Sequence, residues 1–174
     1  MNRLRLVSLL AVLLLLPAAA PAASKPALNA CTVLPVAHVA KVIGQPFHIF
    51  SRGEIAPLAH GAAMGDGCNY MSAKPLPGAK APLEVWFVGY VESSPTVARK
   101  AYTEWKAFLA KKGPIKSVSG IGDAAYRDTN QALHVLKGKA HFDLGFQIGG
   151  VPWKVTPQTD HQERDLATWI AGRL

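Results

Sequence analysis

Hydrophobic and polar positions recur along this chain with several periods, and each period predicts a different element. Leu6 to Leu16 form an apolar run broken only by Ser8, preceded by Arg3 and Arg5 and followed by Pro17-Ala-Ala-Ala-Pro-Ala-Ala. A basic start, about ten apolar residues and a small-residue exit form the pattern of a secretory signal peptide. The run is too short to span a ~30 Å hydrocarbon core as a helix. Ala20 and Ala22 fill the two small-residue positions before the cleavage point. Residues 1–22 are therefore read as a signal peptide, 23–30 as a flexible leader and 31–174 as a single α+β domain.

Beyond the leader the period changes. Val36, Val39, Ala40 and Ile43 share one helical face, with Pro35 suited to the first turn and Gly44 to the stop. Residues 45–67 carry no period, contain two prolines and several glycines, and read as irregular. A short strand is expected at Cys68–Ser72, and a strand apolar on both faces at Leu83–Val91. Ser94-Pro95 opens a second helix that Gly113-Pro114 closes, with Val97, Ala101, Trp105, Phe108 and Leu109 as its expected buried stripe. Four short strands follow near 115–119, 124–127, 132–137 and 140–148. In the last, Phe142, Leu144, Phe146 and Ile148 are expected inward, and His141, Asp143 and Gln147 outward. A turn at Gly138-Lys139 pairs Val135 with Phe142 and Leu133 with Leu144, the register in which all four point inward. Thr159 to Gln162 has the form of a capping box, and the helix it opens buries Leu166, Ala167, Trp169 and Ile170. The fold class is α+β, an antiparallel β-sheet with packed helices in the order α-β-β-α-β-β-β-β-α.

Charge adds little to this picture. The formal net charge is +8, and loss of Arg3 and Arg5 with the leader lowers it to +6. That balance favours weak contact with an anionic membrane surface. The basic residues are scattered, with one local pair at Lys111-Lys112, so no nucleic-acid partner is expected. Two cysteines survive export, Cys31 and Cys68. An oxidising compartment and an even count favour a disulfide between them. Leu28-Asn29-Ala30-Cys31 loosely imitates a lipobox, so lipidation of Cys31 is the rival reading.

Gly120-Ile-Gly-Asp123 superficially suggests a dinucleotide fingerprint, but the third glycine is missing and the flanks read as strand–turn–strand. A tight turn is expected, with Gly120 or Gly122 at positive φ and Asp123 bonded to backbone. No cofactor is expected. Cys31-Thr-Val-Leu-Pro35, Ala40-Lys-Val-Ile-Gly44, Cys68-Asn-Tyr70, Val118 to Tyr126 and Leu133 to Gly138 occur in this order. In these motifs the chain resembles a broad group of small bacterial exported proteins and lipoproteins of unknown function, best known from actinobacteria. That group resembles the fold of the photosystem extrinsic protein P. The resemblance implies a fold and an envelope location and carries no catalytic residues.

Three sets of residues suggest chemistry. His134 and Asp143 face each other in the derived register, and a His–carboxylate pair is the core of many acid–base sites. It would serve a small hydrolase-like enzyme, although no Ser or Cys nucleophile stands beside it in the sequence. His60, Met64, Cys68 and Met71 are ligand types that copper carriers use, but their spacing needs a helix that Gly61, Gly65 and Gly67 oppose. Trp86, Tyr90 and Trp153 offer an aromatic patch for a ligand or partner. The favoured expectation is a non-enzymatic binding or accessory domain, periplasmic or secreted in a bacterium. Its partner would be an envelope protein or small ligand; the sequence names neither it nor the oligomeric state.

Overall fold

A computed structural model describes residues 28–56 and 63–174 of the chain. The segment read as signal peptide and leader residues 23–27 lie outside the described residues. Elements run in the order α1 (Ala30–Val33), α2 (Val36–Ile43), β1 (Phe47–Ile55), β2 (Gly65–Pro75), β3 (Pro82–Val91), α3 (Pro95–Ala110), β4 (Lys116–Val118), β5 (Ala124–Arg127), β6 (Leu133–Lys137), β7 (Ala140–Ile148), β8 (Val151–Pro152) and α4 (Pro157–Ala171). All eight strands belong to one antiparallel sheet, β1-β2-β3-β7-β6-β5-β4, with β8 paired to β7. This is the α+β class read from the sequence, with one short helix and two strands more than expected.

The β6–β7 register is the expected one: Leu133 faces Leu144, His134 faces Asp143 and Val135 faces Phe142. Leu83, Val85, Phe87, Phe142, Leu144, Leu133 and Val135 build the main core with Leu34, Val39, Leu166 and Ile170 from α1, α2 and α4. Those three helices therefore cover one face of the sheet. Among the described helices, α3 covers the opposite face, and its Ala98, Tyr102 and Leu109 pack on Tyr126 and Leu136.

Several expectations need correction. Residues 47–55 form β1, because an edge strand satisfies its ladder through β2 without burying side chains. The disrupted register between Ile49 and Ser51 leaves Phe50 58% exposed. Helix α3 is rotated from its expected stripe. Ala98, Ala101, Tyr102 and Leu109 are buried, while Phe108 is 44% exposed, stacked on Trp105 with Lys112 over its ring. His141 and Asp143 are buried beneath α3 rather than turned to water. The N-cap of α4 is Thr156, whose side chain forms a capping box with Thr159. Leu28 to Ala30, assigned to the leader, are placed: Ala30 is buried, and Asn29 caps α1.

Cys31 and Cys68 are joined, with 5.3 Å between their Cα atoms. Cys31 is thus not a free acyl acceptor, and lipidation there is excluded in this state. The bond ties α1 to the sheet. Asp66 accepts from the Ala30 N–H at 2.6 Å, and the Tyr70 hydroxyl donates to the Leu34 carbonyl. The Trp169 indole N–H donates to the Val33 carbonyl at 3.2 Å. The Gly120–Asp123 segment is the expected turn. Gly120 and Gly122 have φ of 80° and 59°, and the Asp123 carboxylate accepts from the Gly138 N–H at 2.7 Å. At Gly122 a Cβ would meet the Leu136 carbonyl oxygen at 2.4 Å, so glycine is required twice over.

Candidate functional site

The face that α3 shares divides into a covered half and an open half. In the covered half lies a row of polar side chains, Tyr126 on β5, His134 on β6 and Asp143 on β7, aligned by the ladder. His134 Nδ1 is 2.6 Å from Asp143 Oδ1. Its Nε2 lies 3.4 Å from Asp128 Oδ2, an ion-pair distance without hydrogen-bond alignment. The imidazole is stacked on Tyr126, with ring centroids 4.6 Å apart. Burial lowers the imidazole pKa, but the two carboxylates outweigh it, and the His134 pKa is pushed up to about 9. A cation flanked by two carboxylates is the arrangement that a buried charge requires.

A second pair lies one row along. His141 is 3.1 Å from Glu92 and stacked on Tyr90, and Glu92 also accepts from the Ala63 N–H. A third group joins β5 to α4: Arg127 binds both Asp160, at 2.8 Å, and Glu163. Desolvation raises the Glu163 pKa to about 7 against the pull of Arg127. The sequence reading found His134 and Asp143 but missed Asp128, the His141–Glu92 pair and the Arg127 group. Asp128 precedes the β5–β6 turn, where a carboxylate reads as turn chemistry. It does serve there, accepting from the Ala132 N–H at 2.9 Å.

Arg127, Asp160 and Glu163 border shallow cavities beside α4. Neither His134 nor Asp143 lines these cavities or the larger cleft described below, and both side chains are buried. Both imidazole nitrogens face carboxylates, which leaves neither for a nucleophile or substrate.

The open half is different. Where α3 ends its cover, β1, β2, β3 and β7 present a cleft of about 710 Å3. Ser51, Asn69, Trp86 and Gly145 lie across it in one ladder row. The next row is Gly53, Gly67, Val88 and Asp143, so two glycines lower the floor beside Val88. Arg52 and Glu84 stand among the lining residues, as do Asn130 and Gln147. Trp86 lies over Gly145, where a Cβ would come within 2.5 Å of the indole Cε2 and Cζ2. Only glycine permits that approach.

Of the aromatic patch read from the sequence, Trp86 alone lines the cleft. Tyr90 shares its face but is buried, and Trp153 packs against Phe146 on the other face. The copper set does not assemble. His60 lies outside the described residues, and Cys68 is in the disulfide. Met64 and Met71 are seven residues apart along the extended β2 segment, roughly 20 Å or more, too far to share an ion.

No family model and no curated protein matches the chain. Among solved structures it is similar to the extracellular domain of PknH from Mycobacterium tuberculosis, at 10% sequence identity and a TM-score of 0.52. The match covers 86% of this chain and 97% of that one. At this identity the likeness is one of fold.

Proposed function

We propose that the protein is an exported, non-enzymatic accessory domain of the bacterial cell envelope that binds a small ligand or partner segment in the β1–β2–β3–β7 cleft. The observation that carries this reading is the cleft itself. Its volume of about 710 Å3 is that of ordinary ligand sites, which combine a preformed concave wall with a few polar groups. Trp86 supplies a rigid apolar surface there, and Asn69 and Gln147 supply polar contacts.

Three features support export. The first is the signal-peptide pattern of residues 1–22. The second is the Cys31–Cys68 disulfide, a bond that persists in oxidising compartments. The third is the shared fold with an extracellular domain. The envelope-protein resemblance of the motifs agrees with them. Against a hydrolase stands the burial of His134 and Asp143 under α3.

Mass spectrometry of the native mature chain tests the export half, with an N-terminus near Ala23 and no acyl mass expected. A fragment screen by amide NMR tests the binding half. Shifts clustered on Ser51, Asn69, Trp86 and Gly145 support the cleft, and shifts scattered over the surface with none there refute it.

A further inference from the structure

We propose that the cleft takes a neutral oligosaccharide, with one sugar ring laid against Trp86. This inference rests on the reading of the cleft as the ligand site and names the class of ligand. Its first support is the posture of the indole. Gly145 faces Trp86 directly in the β3–β7 register, and the ring atoms Cε2, Cζ2 and Nε1 lie 2.5 to 2.7 Å from where its Cβ would be. The ring is therefore laid down along the sheet, as a wall of the cleft rather than a plug. A pyranose presents a face of C–H bonds with its hydroxyls around the edge. Such a face suits the electron-rich face of an aromatic ring.

The second support is the kind of polar group beside that ring. Asn69, Asn130, Gln147 and Ser51 each both donate and accept hydrogen bonds, as sugar hydroxyls do. Asn69 donates to Ser51 Oγ at 2.8 Å, which orients both and leaves the Asn69 amide oxygen to accept. The third support is charge. Glu84 is turned to the cleft face, whereas Arg52 pairs with Cys68 and so alternates to the core side of β1, which leaves the cleft without convergent cations. A phosphate or sulfate group would call for convergent cations. An acyl chain would call for a continuous apolar sleeve, whereas here Val88 and Trp86 are interrupted by amides and glycines.

The test uses the oxidised mature protein on a printed array of neutral and acidic oligosaccharides, followed by NMR titration with the neutral glycan that binds best. Saturable shifts at Asn69, Gly145 and the Trp86 indole are expected. Trp86→Ala should weaken binding at least about tenfold, and Asn69→Ala about threefold, while amide spectra show both variants folded. Trp86→Phe, which keeps an aromatic face, should retain most of the affinity even if Trp86→Ala proves unstable. The proposal is overturned if no neutral glycan on the array binds, or if binding survives Trp86→Ala unchanged. Lauric acid and inorganic phosphate separate the two levels of failure. Shifts of the cleft amides by either, with no glycan binding, would sink the sugar and keep the cleft. Silence of the cleft amides toward all three probes would sink both.

Discussion

Raising the pH from about 6 to about 9.5 is expected to remove about 3 kcal/mol of folding stability through His134. The imidazole lies between Asp143, 2.6 Å from Nδ1, and Asp128, 3.4 Å from Nε2, under the cover of α3. Tyr126 is stacked on it, Tyr102 packs on Tyr126 from α3, and Lys106 sits 5.4 Å above the Tyr126 ring. Burial lowers the His134 pKa and the two carboxylates raise it to about 9, from 6.5 for a free imidazole. The folded protein thus binds the proton more tightly than the unfolded chain. A group of this sign stabilises fully below the unfolded pKa, and the benefit is lost as pH rises through the folded one. The gap of about 2.5 pKa units converts to about 3 kcal/mol, and the window lies between roughly 6.5 and 9. Urea unfolding across that window measures the slope, and the His134 ring resonances report its pKa directly. Asp143→Asn should bring the pKa down and flatten the slope. A His134 that titrates near 6.5, or a wild-type stability flat from about 6 to about 9.5, would refute the reasoning.

Reduction of Cys31–Cys68, with 37 residues of sequence separation, should cost roughly 3–4 kcal/mol on the chain-entropy model. Amide exchange should then rise first in α1, α2 and β1; a uniform rise would count against that order. Leu166→Ala, which empties a fully buried site against the main core, should cost about 2–5 kcal/mol in urea unfolding. Phe108→Ala serves as its contrast, since a ring 44% exposed should cost less than about 1 kcal/mol by the same assay. Gly145→Ala forces the Trp86 ring to lift, at a cost of about 1–3 kcal/mol, and should change the indole fluorescence. An unchanged spectrum would mean that the ring does not rest on β7.

The elements that could be read from sequence are those whose side chains had only one self-consistent arrangement. Leu133, Val135, Phe142 and Leu144 agree on a face in one β6–β7 register, and that is the register found. The same logic failed one face over. His141 and Asp143 are expected at the water-facing side because a polar side chain is cheapest there. In fact they are partnered in the interior beneath α3, His141 by Glu92 and Asp143 by His134. Glu92 lies 49 residues from His141, a separation no local pattern encodes. The rotation of α3 has the same origin. Its stripe was chosen for the largest apolar residues, yet the sheet beneath it is rich in Tyr and His and selects Ala98 and Tyr102. Strand β1 was missed because an edge strand buries little and so carries no period. The cleft left one faint signal, a strand with Trp86 and Val88 turned away from the core and glycines in its neighbours. Reading it needed the β2–β3 and β3–β7 registers, which were not derivable.

The geometry of the sheet explains why such a cleft exists. Seven strands in the main path span roughly 29 Å at the usual spacing of about 4.8 Å. One helix is about 10 Å wide, so it covers two or three strands. Among the described residues three helices share the main face, and one, α3, lies on the other, over β5, β6 and part of β7. No described helix covers the part of that face around Ser51, Asn69 and Trp86, and the cleft lies there. An open half-sheet that only meets water ordinarily carries Thr, Lys and Glu at alternate positions. Here the inner rows carry Trp86, Val88, Asn69, Gly53 and Gly67. Glycine weakens a strand and a half-exposed tryptophan is a solubility cost, so neither is explained by stability alone. Together they make a floor and a wall. Beside them the buried His134–Asp143 pair and the covering helix hold β7 in place, so that a ligand would meet a surface already ordered and bind at little conformational cost.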